Sequence, residues 1–180
     1  MEIITQNGCV SVHEYIEIKS SGIHRHGVFA KKDIPKGLRI IEYTGRKISK
    51  EEGDRILKET FHKHQMDPEN HAGTYIFELD DMWDIDGDTS DNDAKYINHS
   101  CNPNCKMDIT NGEIWIYAIK DISKGEEITY NYGFEINEKN LYDFEEQECR
   151  CGSDNCVGYM LDEDAWPRMR ELLAKKKKHN

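Results

Sequence analysis

Along most of this chain, apolar positions come in short runs that alternate with polar ones and break at turn-forming residues, the pattern of short strands. Val12 to Ser20 alternates weakly, with Ile16 and Ile18 expected on one face. Val28 to Ala30 and Leu38 to Tyr43 are rich in β-formers, and KDIPKG (residues 32–37) between them reads as a turn. Met107 to Thr110 and Glu113 to Ile119 flank Asn111 and Gly112, the preferred filling of a two-residue type I′ turn, so a hairpin is expected there. Ile128 to Tyr132 predicts a further strand, with Tyr130 and Tyr132 on the same face.

Helical signals are few. Ser49, Lys50, Glu51 and Glu52 form a capping box, which predicts a helix from Ser49 toward His64, slightly weakened by Gly53. A last helix is expected near Asp164, with Trp166, Met169, Leu172 and Leu173 on one face and Pro167 in its first turn. AKKDIPKG (residues 30–37) is echoed by AIKDISKG (residues 118–125), which suggests two similarly built sheet units. The expected fold class is mostly β, with few short helices.

At 180 residues the chain is sized for one domain, with room for a small appendage at roughly 150 residues per domain. No apolar stretch approaches the roughly 18 residues of a membrane helix. The N-terminus, MEIITQNGCV, has no basic region followed by an apolar run, so no secretory signal and an intracellular location are expected. The formal net charge of -11 disfavours a dedicated duplex-DNA reader and favours a basic partner. Glu78 to Asp93 holds eight acids and no base, and Glu135 to Glu148 holds six acids against Lys139. Either stretch reads as a solvated loop or as a docking surface for a Lys/Arg-rich peptide. Asp84, Asp86 and Asp88 have the spacing of a calcium-loop start, but Thr89 and Lys95 stand where that loop needs Gly and Glu, so calcium is not expected.

Six cysteines are present. Cys149, Cys151 and Cys156 cluster in CRCGSDNC, a polar segment with almost no core of its own. Three thiols this close suit a tetrahedral Zn2+ site that draws its fourth ligand from elsewhere. Cys101, in the NHSC segment, is the leading candidate, and Cys105 and His99 compete with it on spacing alone.

Two further segments carry the most specific signals. The first is YINHSCNPN (residues 96–104), which taken alone is an Asn/Pro-rich turn. The second is GEEITYNYG (residues 125–133), which taken alone is a strand with two packed aromatics.

Together with the cysteine cluster, these segments resemble the SET domain family of protein-lysine methyltransferases. The resemblance runs from about Tyr15 to Met160 in the family's order. It comprises IHRHGVFA (23–30), EYTG (42–45), YIF (75–77), NDAKYINHSC (92–101) and GEEITYNY (125–132), closed by the cysteine cluster and Gly158 as a post-SET segment. It implies small curved antiparallel sheets, with the segment around Asn98 threading beneath the strand ending at Tyr132 as a pseudoknot. The division it implies is a SET domain with its N-terminal strand and insert helix over 1–134, a post-SET zinc segment over 135–161, and a C-terminal helix and basic tail over 162–180.

The implied reaction moves a methyl group from S-adenosylmethionine to a lysine ε-amine. That amine has a pKa near 10.4 in water, so burial and the nearby sulfonium charge must help it lose its proton. By resemblance, Tyr132 is the catalytic tyrosine, Tyr43 a second wall of the lysine channel, and Tyr130 the position that influences product, which implies mono- or dimethyl-lysine. His24, Arg25, His26, Tyr75, Asn98 and His99 are the implied cofactor residues. Cys101, Cys149, Cys151 and Cys156 are the implied ligands of a structural Zn2+. Three positions depart from the family: Arg25 replaces the first Gly of Gly-x-Gly, Lys95 replaces a common Arg, and Arg46 stands where an acid is usual.

The substrate implied is a basic protein or peptide, histone-like by charge. It would bind as an added strand beside the post-SET segment, faced by the Glu135 to Glu148 acids. Nucleus or chromatin is the expected location in a eukaryotic cell or host, and cytoplasm otherwise. Direct nucleic-acid contact is expected, if anywhere, at Lys175 to Lys178, which also reads as a solvated tail. The competing readings are a catalytically silent SET-like peptide-binding module and a lysine methyltransferase of a non-histone protein.

Overall fold

A computed structural model of the chain describes residues 14–66, 74–134 and 148–176. The strands are β1 (Ile16–Ser20), β2 (His26–Ala30), β3 (Arg39–Tyr43), β4 (Arg46–Ser49), β5 (Ile76–Glu78), β6 (Trp83–Asp86), β7 (Asn98–His99), β8 (Cys105–Thr110), β9 (Glu113–Ala118) and β10 (Glu127–Tyr130). The helices are α1 (Lys50–Met66) and α2 (Trp166–Lys176). The acidic stretch Glu135 to Glu148, apart from Glu148, lies outside the described residues, as do Val12 and the side chains of Lys175 to Lys178. Among the described residues, no helix is long and apolar enough to cross a membrane.

The chain divides into two compact units. One comprises Ile40–Lys95 and Asp108–Ile116, with Glu14. The other comprises Tyr15–Arg39, Tyr96–Met107 and the described part of Tyr117–Asn180. One three-stranded sheet has the order β3-β9-β8, and its β8–β9 connection is the expected hairpin. Asn111 and Gly112 both take positive φ there, 55° and 80°, as a type I′ turn requires.

In the first unit, β4 and β5 flank β6 antiparallel, and α1 follows directly from β4. Ser49 caps α1, its hydroxyl accepting from Glu52 N–H at 3.3 Å. The reciprocal half of the expected capping box differs. Glu51 holds its carboxyl below the usual range, chiefly through its own backbone N–H and then through Ser49. Glu52 instead pairs with Arg46 at 2.6 Å. An arginine on the neighbouring strand outcompetes the cap for that carboxylate.

Gly53 has a packing reason that helix propensity hides. A Cβ there would fall on the carboxylate of Asp84, which is buried on β6 and accepts from Lys50 Nζ at 2.8 Å. In an exposed helix, Gly→Ala is stabilising by up to about 1 kcal/mol. Here the sign reverses: Gly53→Ala is expected to destabilise by about 1–2 kcal/mol, because the ion pair must give way. Urea denaturation measures it, and an unchanged or raised midpoint would contradict the close approach.

The same unit consumes much of the first acidic stretch. Glu78 and Asp84 both pair with Lys50, Asp86 with Arg46, and Asp88 with Lys95. Asp80 accepts from the N–H groups of Met82 and Trp83 at 2.9 Å each. Five of its eight acids thus hold the unit's own lysines, arginine and turns.

In the second unit, a four-stranded sheet has the order β1-β2-β10-β7. β1 and β10 run antiparallel to β2, and β7 runs parallel to β10, with Asn98 opposite Thr129 and His99 opposite Tyr130. This pairing sets the 98–99 segment beside the strand that leads to Tyr132. Ile16 is buried as expected, but Ile18 is 37% exposed, because β1 is the edge of the sheet.

The sequence echo has a structural meaning beyond two similarly built sheet units. The two copies pair with each other, reciprocally. Ile34 N–H donates to Ile122 O at 2.8 Å and Ile122 N–H to Ile34 O at 2.9 Å. Gly37 N–H donates to Ala118 O, and Gly125 N–H to Ala30 O. Asp121 accepts from Lys36 N–H and Asp33 from Lys124 N–H, each at 2.8 Å. Each aspartate caps the other copy's turn, so the repeat builds a local two-fold junction at which β2 and β10 are held.

Candidate active site and metal centre

The four clustered cysteines meet in space. The Sγ atoms of Cys101, Cys149, Cys151 and Cys156 all lie within 4.8 Å of one another. Cys101 Sγ is 3.8 Å from that of Cys149 and 3.6 Å from that of Cys156. A tetrahedral zinc with bonds of about 2.3 Å sets its sulfurs about 3.8 Å apart, so the cage fits that ion. Cys105, a competitor for the fourth place, is fully buried outside the cluster.

The donor chemistry points the same way. Burial pushes the Cys101 thiol up to about 12 and raises that of Cys149. Burial also opposes ionisation of Cys151, but hydrogen bonds with the Ser153 side chain and from Cys101 N–H outweigh it and bring it down to about 6. One ready thiolate among crowded, reluctant thiols is a set that a divalent cation stabilises.

The cage also organises a core. Cys101, Val157, Leu161, Trp166 and Met169 form a buried cluster against which Phe134, Tyr159 and the other three cysteines pack. Asn155 Nδ2 donates to Cys101 O at 2.8 Å, and Trp166 Nε1 to Leu161 O at 3.1 Å. Cys101 is thus one anchor of the segment from 148 to 161.

His99, the other competitor, stands just outside the cage. Its Nδ1 accepts the backbone N–H of Tyr132 at 3.1 Å, which places its proton on Nε2, 3.4 Å from Cys101 Sγ. Burial lowers its pKa to about 4, so the ring is neutral. One imidazole therefore connects the cysteine cage to Tyr132.

This contact also corrects the expected strand 128–132. The strand ends at Tyr130, because Tyr132 gives its N–H to the His99 ring rather than to a neighbouring strand. Asn131 Oδ1 then accepts from Gly133 N–H and turns the chain. Tyr130 and Tyr132 still pack together, ring centroids 5.0 Å apart. The Tyr132 ring also meets those of His99 at 5.4 Å and Phe134 at 5.8 Å, and its hydroxyl donates to Ile97 O at 2.9 Å.

Asn98 is buried, its Nδ2 donating to His26 O and to Glu127. His24 and Arg25 are exposed in the loop that enters β2, and His26 is exposed as its first residue. Arg25 takes a positive φ of 29°, a conformation that favours Gly and accounts for the family's residue at this position. The His26 ring lies edge-on to Tyr96, centroids 5.9 Å apart. The second unit thus brings together His26, Asn98, His99, Tyr130, Tyr132 and the four cysteines.

Tyr43 and Tyr75 belong to the first unit, where they meet each other. The buried Tyr43 donates its hydroxyl to Tyr75 O at 2.8 Å, and Tyr75 O also accepts from Gly87 N–H. Lys95 Nζ stands 5.5 Å from the Tyr75 ring centre while it donates to Asp88 and Thr89 O.

Sequence reasoning missed Ile97, Phe134, Ser21 and Glu127. Phe134 continues the aromatic alternation of Tyr130 and Tyr132, a signal that was available. Ser21 and Glu127 are 106 residues apart and carried none.

The comparisons with known proteins agree with this arrangement. A family model described as the SET domain matches residues 25–133. The chain is 34% identical over 153 residues to a histone-lysine N-methyltransferase, H3 lysine-4 specific, of Chaetomium globosum, covering 81% of this chain and 13% of that protein. It is 32% identical over 151 residues to the histone-lysine N-methyltransferase trithorax of Drosophila virilis, covering 82% of this chain and 4% of that protein. It is 35% identical over 149 residues to the histone-lysine N-methyltransferase trr of Drosophila melanogaster, covering 81% and 6%. This chain belongs to the SET domain family, and it spans only a small fraction of the length of each of these relatives.

Proposed function

We propose that this chain is a protein-lysine N-methyltransferase that uses S-adenosylmethionine and acts on a basic tail of histone type. The observation that carries the reading is the fixed Tyr132, its ring in an aromatic nest and its backbone held by His99 beside the cysteine cage. The relatives' names, histone-lysine N-methyltransferases, supply the substrate class. Bound S-adenosylmethionine supplies an electrophilic methyl group on a sulfonium.

This chain's residues then have the following roles. Tyr132 commits its one proton to Ile97 O, so its oxygen acts on the substrate amine as an acceptor that orients it. The aromatic walls keep that amine dry, which favours its neutral, attacking form. Tyr43, its hydroxyl directed at Tyr75 O, offers the lysine an aromatic face. His24, Arg25, His26, Tyr75, Asn98 and His99 bind the cofactor, and Cys101, Cys149, Cys151 and Cys156 hold a structural zinc that makes 135–161 a post-SET segment. Nucleus or chromatin is the corresponding location in a eukaryotic cell or host.

Tyr130, buried and against Tyr132, limits the product to mono- or dimethyl-lysine. Its hydroxyl holds a water in the space of a further methyl group. Tyr130→Phe is expected to shift the product, read by mass spectrometry, at least one methyl higher. Efficient trimethylation by the wild type would sink this assignment.

Tritium transfer from labelled S-adenosylmethionine to core histones tests the whole reading. Label is expected in histone lysines and is lost on Tyr132→Phe. Binding of histone peptide without any transfer would instead identify a silent module, and transfer only to other basic proteins would move the substrate outside histones.

A further inference from the structure

Ser153 lies between two cage cysteines, and the reading above gives it no role. It opens the turn that joins Cys151 to Cys156, where its carbonyl accepts from Cys156 N–H at 3.0 Å. Its hydroxyl is 3.3 Å from Cys151 Sγ and 3.2 Å from Ser100 Oγ. Ser100 is buried and fixed at two atoms: its N–H donates to Tyr130 O, and its Oγ accepts from Asn102 N–H, each at 3.1 Å. The two hydroxyls therefore join the 98–101 segment to a cage sulfur other than its own. Cys151 Sγ also accepts from Cys101 N–H at 3.5 Å.

Proton counting gives these contacts a direction once a metal is bound. Each serine hydroxyl has one proton and two lone pairs. A metal-bound thiolate has no proton to give, so the Ser153 hydroxyl donates to Cys151 Sγ. Its oxygen then accepts the proton of Ser100, whose own oxygen accepts from Asn102 N–H. The result is a chain of donors, from Asn102 through Ser100 and Ser153, that ends on a metal ligand. Each bond in such a chain polarises the next.

We propose that Ser153, backed by Ser100, is a positioning residue for the cage metal: its hydroxyl orients the Cys151 thiolate and draws charge from that sulfur, and the ion is held more tightly for it. The inference rests on the structural zinc of the reading above. Four thiolates around one divalent ion leave a net negative charge on the cage. A hydroxyl aimed at one sulfur offsets part of that charge, and outer partners of metal ligands have measurable weight in affinity for this reason.

Two measurements on the full chain test it: competition for zinc against a chromophoric chelator, and the absorption spectrum of the protein loaded with cobalt(II). Ser153→Ala is expected to weaken zinc binding about tenfold. It should also move the sulfur-to-cobalt charge-transfer band to lower energy, because a sulfur that has lost its donor gives up an electron more readily. Ser153→Thr keeps the hydroxyl and should hold zinc within about threefold of wild type, with the band in place. Ser100→Ala removes the donor behind Ser153 and should move the band the same way by less. Zinc affinity unchanged in Ser153→Ala overturns the proposal. So does weaker zinc with an unmoved cobalt band, which leaves Ser153 a residue of the turn alone, and so does a Ser153→Thr protein that loses zinc as far as Ser153→Ala. A wild-type chain that binds neither zinc nor cobalt overturns the metal reading itself, and this inference with it.

Discussion

Cys101→Ser is expected to cost the chain the zinc proposed for its cysteine cage and its methyl transfer together, with the transfer rate down about a hundredfold or more. The reason is position. Cys101 is separated by 48 to 55 residues from the cysteines whose sulfurs it meets, so it ties the 98–101 segment to the cage, beside the Ser100–Ser153 hydrogen bond. The segment from 148 to 161 buries little besides Val157 and Leu161, so most of its anchoring comes from the cage and from the α2 contacts of Trp166 and Met169. Loss of the ion also loosens His99, whose Nε2 faces Cys101 and whose Nδ1 holds the N–H of Tyr132. Elemental analysis and tritium transfer on the same preparation make the measurement. Cys105→Ser is the control: that thiol is fully buried, and burial holds its pKa up at about 12, but it lies outside the cage. It should keep the zinc and lose only about 1–2 kcal/mol of stability. A Cys101→Ser protein with full zinc and full activity would falsify this account of the cage.

What the sequence revealed, and what it did not, divides along sequence distance. The hairpin at Asn111 and Gly112 was legible because a type I′ turn is a two-residue property. The cysteine cage was legible because CRCGSDNC is a chemical signal in eight residues, and the motif order pointed to the family. The end of β10 was not legible. Periodicity carried the strand through Tyr132, and only the His99 ring, 33 residues away, takes the N–H that would have continued the ladder. The echo at 30–37 and 118–125 was visible as similarity, but that the copies cap each other through Asp33 and Asp121 is a choice of partner, which composition does not encode. The acids of 78–93 read as one charged stretch, and five of them turn out to be held by Lys50, Arg46, Lys95 and local N–H groups. Gly53 shows the same limit in reverse: helix propensity marked it as a weakness, and the carboxylate of Asp84, 31 positions on, makes it a requirement.

Tyr132→Phe is expected to lower the single-turnover rate at saturating cofactor about a hundredfold or more, and to leave cofactor affinity within about threefold. The backbone of Tyr132 is held by His99, and its ring by Tyr130, His99 and Phe134; none of these contacts uses the hydroxyl. The substitution therefore removes one oxygen and leaves its frame standing. It orphans the carbonyl of Ile97, at a cost of about 1–3 kcal/mol in stability, which a melting curve separates from the kinetic effect. The pH profile decides how the oxygen acts. On the proposed reading, with its proton committed to Ile97 O, it orients the amine and does not remove the amine's proton. The wild-type rate should then rise with pH as the substrate lysine becomes neutral, and Tyr132→Phe should lower the plateau without moving the inflection. An inflection that vanished with the hydroxyl would make Tyr132 the base. A rate that survived its loss would leave positioning to the aromatic walls alone.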